Sequence, residues 1–180
     1  MFDLNNTFVT SDHHFRAWKN YPIHGGCTQE DEERYIALWN SVVGKDDLVL
    51  YIGDFYDSVP FSGDGAVADL MELVGRLNGR IVLIKGNHDK LGDTVYRLIF
   101  SDVVKEMRID ELNLRLIHNR DDLEDRRPGE RVVYGHEHRC YMPLPTTPDS
   151  ICVCAKWHGW KPISLAEAIR QMDACNQAPA

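Results

Sequence analysis

An α/β fold built on a largely parallel sheet is what three features of this sequence predict. Short runs of β-branched and aliphatic residues recur at Phe8-Val9-Thr10, Leu48 to Ile52, Ile81 to Ile84, Leu114 to Ile117 and Val132-Val133-Tyr134; runs of this length read as buried strands. Segments with helical spacing separate the first three runs, and strand-helix-strand alternation implies parallel pairing through crossovers. Each run also ends in a polar island: Asp12-His13-His14, Gly53-Asp54, Gly86-Asn87-His88-Asp89, His118 and Gly135-His136-Glu137-His138. Open α/β sheets place ligands outside the carboxyl ends of their strands, so the five islands should converge on one sheet edge.

The elements between the islands follow in order. Thr28-Gln29-Glu30-Asp31 offers a hydroxyl with an acid three residues on, and Tyr35, Leu38, Trp39, Val42 and Val43 then recur at helical spacing before Gly44, which predicts a helix after the first strand. A second helix is expected through Val67, Leu70, Met71, Val74 and Leu77, ending near Asn78-Gly79. Asp93 to Phe100 reads as a short third helix, and Ser164-Leu165-Ala166-Glu167 repeats the capping pattern before a C-terminal one. From Val103 onward strands and loops alternate. That pattern fits a continuation of the first sheet or a second sheet packed on it.

Size and charge narrow the classes. At 180 residues and 20.6 kDa the chain is expected to form one domain, residues 1–180, with one sizeable core. Its net charge of −8 opposes the extended basic surface that binding of long nucleic acid needs. Neither a basic segment followed by an apolar one nor a run of ~18 apolar residues is present, so no membrane partner and a cytoplasmic location are expected. The five cysteines are odd in number and contain no CxxC pair, which argues against a disulfide framework or a zinc knuckle. Cys152 and Cys154 read as small core residues on one side of a strand.

The islands carry the chemistry. Asp12 and His14 lie two apart, as do His136 and His138, so on extended strand ends each pair points one way and can share a cation. His13 and Glu137 should then face elsewhere. The carboxylate of Asp54, the amide oxygen of Asn87 and the imidazoles of His118 and His136 form a mixture that suits manganese, iron or zinc better than calcium. Each residue alone has an ordinary explanation as a turn aspartate, a satisfied histidine or an asparagine before a bend. Five blocks in order, each after a strand, point instead to a bound metal centre.

These blocks resemble the calcineurin-like metallophosphoesterases, whose ordered signature is DxH, GDxx(D), GNH(D/E), His and GHxH. The flanks Ser11 to Phe15, Trp39 to Val43 and Lys161 to Leu165 resemble a small bacterial and phage-type branch of that family. The resemblance implies a two-sheet sandwich flanked by helices in four layers, α/β/β/α. It assigns Asp12, His14, Asp54 and His138 to one metal ion and Asn87, His118 and His136 to the second, with Asp54 bridging. It further implies that a metal-bridging hydroxide attacks phosphorus, two ions ~3.5 to 4 Å apart lowering the pKa of a shared water from ~15.7 toward ~7. His88 matches the family histidine that protonates the leaving group. Asp57 matches the last position of GDxxD and either orients His88 or is an exposed loop residue.

Other residues remain open. Arg16 and Lys19 either reach a substrate phosphate oxygen or are solvated loop charges; His24 belongs to a loop near the pocket. Trp157, His158 and Trp160 read as packing rather than as a stacking platform. No GxSxG, Walker loop or cysteine beside a base motif offers a covalent route. Ser58-Val59 and Asp89 replace the Arg-Gly and Glu of serine/threonine phosphatases, and Asp57 stands where family nucleases place a histidine. The expected substrate is therefore a small phosphodiester or phosphomonoester, the diester favoured. A catalytically silent protein holding a phosphorylated ligand or nucleotide in the same pocket is the rival reading.

Overall fold

The computed structural model describes residues 3–20, 28–57, 64–138 and 142–176. His24 and the Lys19 side chain lie outside the described residues. Among the described residues nine strands form two sheets. The first contains β1 (Thr7–Thr10), β2 (Leu48–Ile52), β3 (Arg80–Ile84), β4 (Asp102–Val104) and β9 (Ile163–Ser164), in the order β4-β3-β2-β1-β9, with only β9 antiparallel. The second contains β5 (Glu106–Ile109), β6 (Leu114–Ile117), β7 (Arg131–Tyr134) and β8 (Ser150–Cys152), in that order, with only the β5–β6 pair antiparallel. The helices are α1 (Gln29–Asn40), α2 (Asp64–Arg76), α3 (Asp93–Tyr96) and α4 (Leu165–Cys175). The expected α/β sandwich of two sheets flanked by helices is the observed fold.

Strand alternation explains the layers. Val49 and Tyr51 of β2, with Ile81 and Leu83 of β3, pack against Tyr35, Ile36 and Trp39 of α1 and Leu70 and Leu73 of α2. The intervening Leu50, Ile52, Val82 and Ile84 face Leu114, Leu116, Val133 and Ile151 of the second sheet. Side chains that alternate between two apolar surroundings give continuous apolar strands, which is why β2 and β3 read so clearly in the sequence. Leu165, Ala168 and Met172 of α4 join the inter-sheet core. Over the outer face of the second sheet the covering layer is thin: Trp157, in a 3-10 turn at Ala155–His158, with Leu123 and Leu144.

Helix termini formed much as the capping pattern predicts. The Thr28 hydroxyl accepts from the Asp31 amide at 3.1 Å while the Asp31 carboxylate accepts from the Thr28 amide at 2.9 Å. Ser164 caps α4 by accepting from the Glu167 amide at 3.1 Å. The α2 face is rotated from expectation: Leu73 is fully buried and Met71 is 54% exposed. α3 covers only its first turn before the chain bends toward β4.

Arg16 departs from both sequence readings. It is buried, and its guanidinium contacts Glu32, Asp69 and Glu72, with Nε 3.2 Å from Asp69. Its backbone amide also donates to Glu32 at 2.7 Å. Glu32 is fully buried on α1; removing the cation would leave its charge stranded, typically a loss of about 3–5 kcal/mol. Arg16 thus pins the chain just after the first island to both helices.

Trp160 stacks on Tyr35 with ring centroids 4.0 Å apart, and the Trp157 indole donates to the Glu137 carbonyl at 3.0 Å. His158 donates through Nε2 to the Cys152 carbonyl at 2.9 Å. Burial holds the pKa of His158 below its ordinary value, the carbonyl contact opposing. A depressed histidine stabilises the fold above its unfolded pKa of ~6.5 and loses that contribution as pH falls below it. We expect unfolding free energy measured in urea to decline from about pH 6.5 downward. His158→Gln, which keeps a donor for Cys152, should flatten that decline by at most about 1.4 kcal/mol per pH unit.

Candidate metal centre

The five islands meet, but at the joined ends of two sheets rather than on the edge of one. Pairing continues past the strands: the Asp12, His14 and Phe15 amides donate to the Gly53, Asp54 and Phe55 carbonyls at 3.0, 3.1 and 2.8 Å. Ser11 forms a parallel bridge with Cys154, and the Ala155 amide donates to the Ser11 carbonyl at 2.9 Å. This seam ties β1 to the chain after β8, so islands from both sheets share one end of the sandwich.

Local backbone differs from the extended strand ends that the two-residue spacing suggested. Asp12, His14, Asp54 and His136 have φ of 59°, 48°, 56° and 71°. Left-handed backbone is unfavourable for residues with a Cβ and concentrates at functional sites, where packing imposes it. The side chains converge because the chain coils at each strand end. Glycines allow the crowding: a Cβ on Gly86 would strike the Asp54 side chain, and one on Gly53 would strike the His118 ring. A Cβ on Gly135 would lie 2.7 Å from Asp12 Oδ2.

Three overlapping groups result among the described residues, one of them His14, Asp57 and His88. Asp12, His14, Asp54 and His138 offer atoms within 4.8 Å of one another, as do Asp54, His118 and His136, and Asp54 belongs to both. Asp54 Oδ2 is buried without a hydrogen bond, 3.6 Å from His14 Nε2 and 3.4 Å from His118 Nε2. His14 Nε2 also faces His138 Nε2 at 3.2 Å. His118 donates through Nδ1 to the Ile52 carbonyl at 2.9 Å, which leaves Nε2 facing Asn87 Oδ1 at 3.1 Å and His136 Nδ1 at 3.2 Å. A single proton cannot serve so many convergent acceptors. Divalent cations fit this donor set, and carbonyl-anchored imidazoles are typical of metal ligands.

The electrostatics follow from burial among these groups. Burial would raise the Asp54 pKa, but His118 and His14 overcome it and hold the carboxyl well below the usual range. Asp12 is pushed up to about 6 by burial, with His118 opposing. Burial would lower His118, but Asp54 and Asp12 raise it to about 9.

His88 borders this cluster. Its amide donates to Asp54 Oδ1 at 2.7 Å, and its ring stands at 82° to that of His14 with centroids 4.9 Å apart. Asp57 is buried rather than exposed, and its Oδ2 lies 3.9 Å from His88 Nδ1, longer than a hydrogen bond. His13 is buried in the aromatic core, stacked on Phe15 at 4.9 Å, as its alternating position suggested.

Two supporting residues escaped the sequence reading. Asp89 is buried and accepts from the Asp54 and Gly86 amides at 2.9 and 2.8 Å through one oxygen, and from the Phe55 and Tyr56 amides at 3.0 and 3.4 Å through the other. Its place at the end of the GNHD block was the available signal. Cys154 is buried with Sγ 3.1 Å from Asp12 Oδ2, an oxygen that also accepts from the His136 amide at 2.9 Å. Asp12 Oδ1 has no hydrogen bond and is the oxygen left to face a cation. Nothing in the sequence pairs Cys154 with Asp12, since 142 residues separate them.

The chain is similar to known proteins. A family model described as calcineurin-like phosphoesterase matches residues 6–128. An uncharacterized protein of Methanocaldococcus jannaschii is 29% identical over 171 residues, covering 90% of this chain and 88% of its own. A solved protein of unknown function from Aquifex aeolicus superposes with a TM-score of 0.65 at 19% identity, covering 91% of this chain and 97% of its own. Pseudomonas putida nuclease MPE gives a TM-score of 0.48 at 21% identity over 74% of this chain and 61% of its own.

Two outcomes test the site's construction. Gly86→Ala should abolish manganese binding measured by calorimetry, whereas Gly75→Ala, whose added Cβ meets nothing within 4 Å, should leave binding intact and stabilise α2 by about 0.5–1 kcal/mol. Cys154→Val should weaken metal affinity about 10- to 100-fold, and Cys154→Ser should recover most of it by restoring a donor to Asp12.

Proposed function

Because the chain belongs to the calcineurin-like phosphoesterase family, we propose that it hydrolyses a small phosphodiester, or less readily a phosphomonoester, at a centre of two divalent ions. Manganese, iron or zinc suits the donors. Asp12, His14 and His138 would hold one ion and Asn87, His118 and His136 the other, with Asp54 shared. The observation that carries this reading is Asp54 Oδ2, buried without a hydrogen bond between imidazoles from β1's end and β6's end. When bound, two such ions supply charge neutralisation at the phosphoryl oxygens and an activated water.

The chain's own groups then do the rest. Asp89 and the adjoining glycines hold Asp54 and Asn87 rigid, so little reorganisation is needed when charge develops at phosphorus. A cavity of about 280 Å³ lined by Asp54, Asn87, His88, His136 and His138 lies over the cluster and seats the phosphoryl group. As the bond from water oxygen to phosphorus forms and the ester bond breaks, His88 passes a proton to the departing oxygen. With Nδ1 turned toward Asp57, His88 has Nε2 left for that transfer. Release of a small alcohol needs neither an extended basic surface nor a membrane.

Bis(p-nitrophenyl) phosphate should be hydrolysed with added manganese, and activity should vanish on chelation. His88→Asn should lower kcat about 10²- to 10⁴-fold with little change in manganese affinity. Asp57→Asn should slow esters with poor leaving groups far more than nitrophenyl esters. Absence of turnover by manganese-loaded protein on every phosphoester tried would overturn the assignment.

A further inference from the structure

A second and larger cavity adjoins the same centre. It measures about 500 Å³, within the usual size for small-molecule sites, and shares Asn87 and His136 with the smaller one. On the reading above, a phosphoryl group seated over the cluster would lie beside this shared pair, so that one arm of a diester could extend into each cavity.

The two cavities differ in charge. Beyond the clustered ligands the smaller carries Asp121, Glu137 and the imidazole of His88. The larger carries Lys85 and Lys105 with Asp93 and Asp122. Lys85 is neutralised by Asp93, its Nζ 2.7 Å from Oδ1. Lys105, between β4 and β5, is exposed and makes no ion pair among the described residues. Asn119 borders the same space; its Oδ1 accepts from the Asp121 amide at 3.1 Å, which leaves its amide nitrogen to donate. Asp122 is exposed at the rim. In a chain of net charge −8, a cavity whose acids are matched by lysines is the part of this site most favourable to an anion.

Resting on the phosphoesterase reading above, we infer that the larger cavity is a subsite for an anionic group, a phosphate above all, on the arm of the diester that stays with phosphorus. Lys105 and Asn119 are its recognising side chains. The leaving arm departs through the smaller cavity beside His88, where Asp121 and Glu137 disfavour a second negative charge. Substrates would then be esters of phosphorylated nucleosides or sugars, with phosphate on the retained arm.

Nitrophenyl esters test this because nitrophenolate is always the leaving arm. p-Nitrophenyl thymidine 5′-phosphate has an uncharged retained nucleoside; the same ester bearing a 3′-phosphate adds the anion. With manganese, the phosphorylated ester should show a KM about tenfold lower at similar kcat, the scale expected for one charge-assisted contact. Lys105→Glu should erase that difference by raising KM for the phosphorylated ester far more than for the uncharged one, and Lys105→Ala should show the same in lesser degree. Equal KM values in the unmodified protein, or equal effects of Lys105→Glu on both esters, would overturn the subsite. Calorimetric affinities of manganese-loaded protein for thymidine 3′,5′-bisphosphate and thymidine 5′-monophosphate give a readout independent of turnover. A Lys105-dependent preference for the bisphosphate without hydrolysis would uphold the subsite and refute the enzyme; hydrolysis without that preference would do the reverse.

Discussion

The Asp89 carboxylate holds the loop after β2 against the loop after β3. With its two oxygens it takes four backbone N–H groups, from Asp54, Phe55, Tyr56 and Gly86. Burial pushes its pKa up to about 6 against the pull of those amides, yet a carboxylate so solvated by backbone donors replaces much of the water it gave up. Because Gly86 has no Cβ, its backbone can rest on Asp54 itself. This contact determines where Asp54 and Asn87 point, and through the His88 amide on Asp54 Oδ1 it also sets the backbone position of His88.

The rest of the centre is held by links between layers. His118, at the end of β6, donates to a carbonyl of β2 in the other sheet. His136, beyond β7, donates its amide to Asp12, beyond β1. The Ser11–Cys154 bridge closes the same seam. Such contacts cross the inter-sheet core, so the centre can form only once the two sheets have packed. Left-handed backbone at four of the clustered residues is a local cost, roughly 1–3 kcal/mol at each position, which that packing sustains. Arg16, also left-handed at φ 66°, serves the same end: its cage of acids anchors the coil of chain that presents His14. Stability and site geometry are therefore invested in the same residues.

Much of this was legible in the sequence for one physical reason. β2 and β3 are buried on both faces, so their apolar runs are unbroken, and a parallel sheet places their ends together. Thr28 and Ser164 announced helix starts because a cap is a local interaction within one turn. The two cavities' contrast had no such local signature: Lys105 and Asn119 are 14 residues apart and on different strands' ends, and nothing in the intervening pattern joins them to Asn87.

By itself the sequence determined five of the strands, the capped starts of two helices and the family that the islands' spacing resembles, because each depends on periodicity or on neighbours within a few positions. Only the tertiary structure decided that the islands come from two sheets, that Met71 faces out while Leu73 faces in, that Arg16 is buried among acids rather than offered to substrate, and that Asp57 is shielded beside His88. It alone brought Cys154 to Asp12 and Asp89 to the β2 loop. Those outcomes depend on which surfaces meet when distant segments pack, and a contact across more than a hundred residues leaves no periodic trace along the chain.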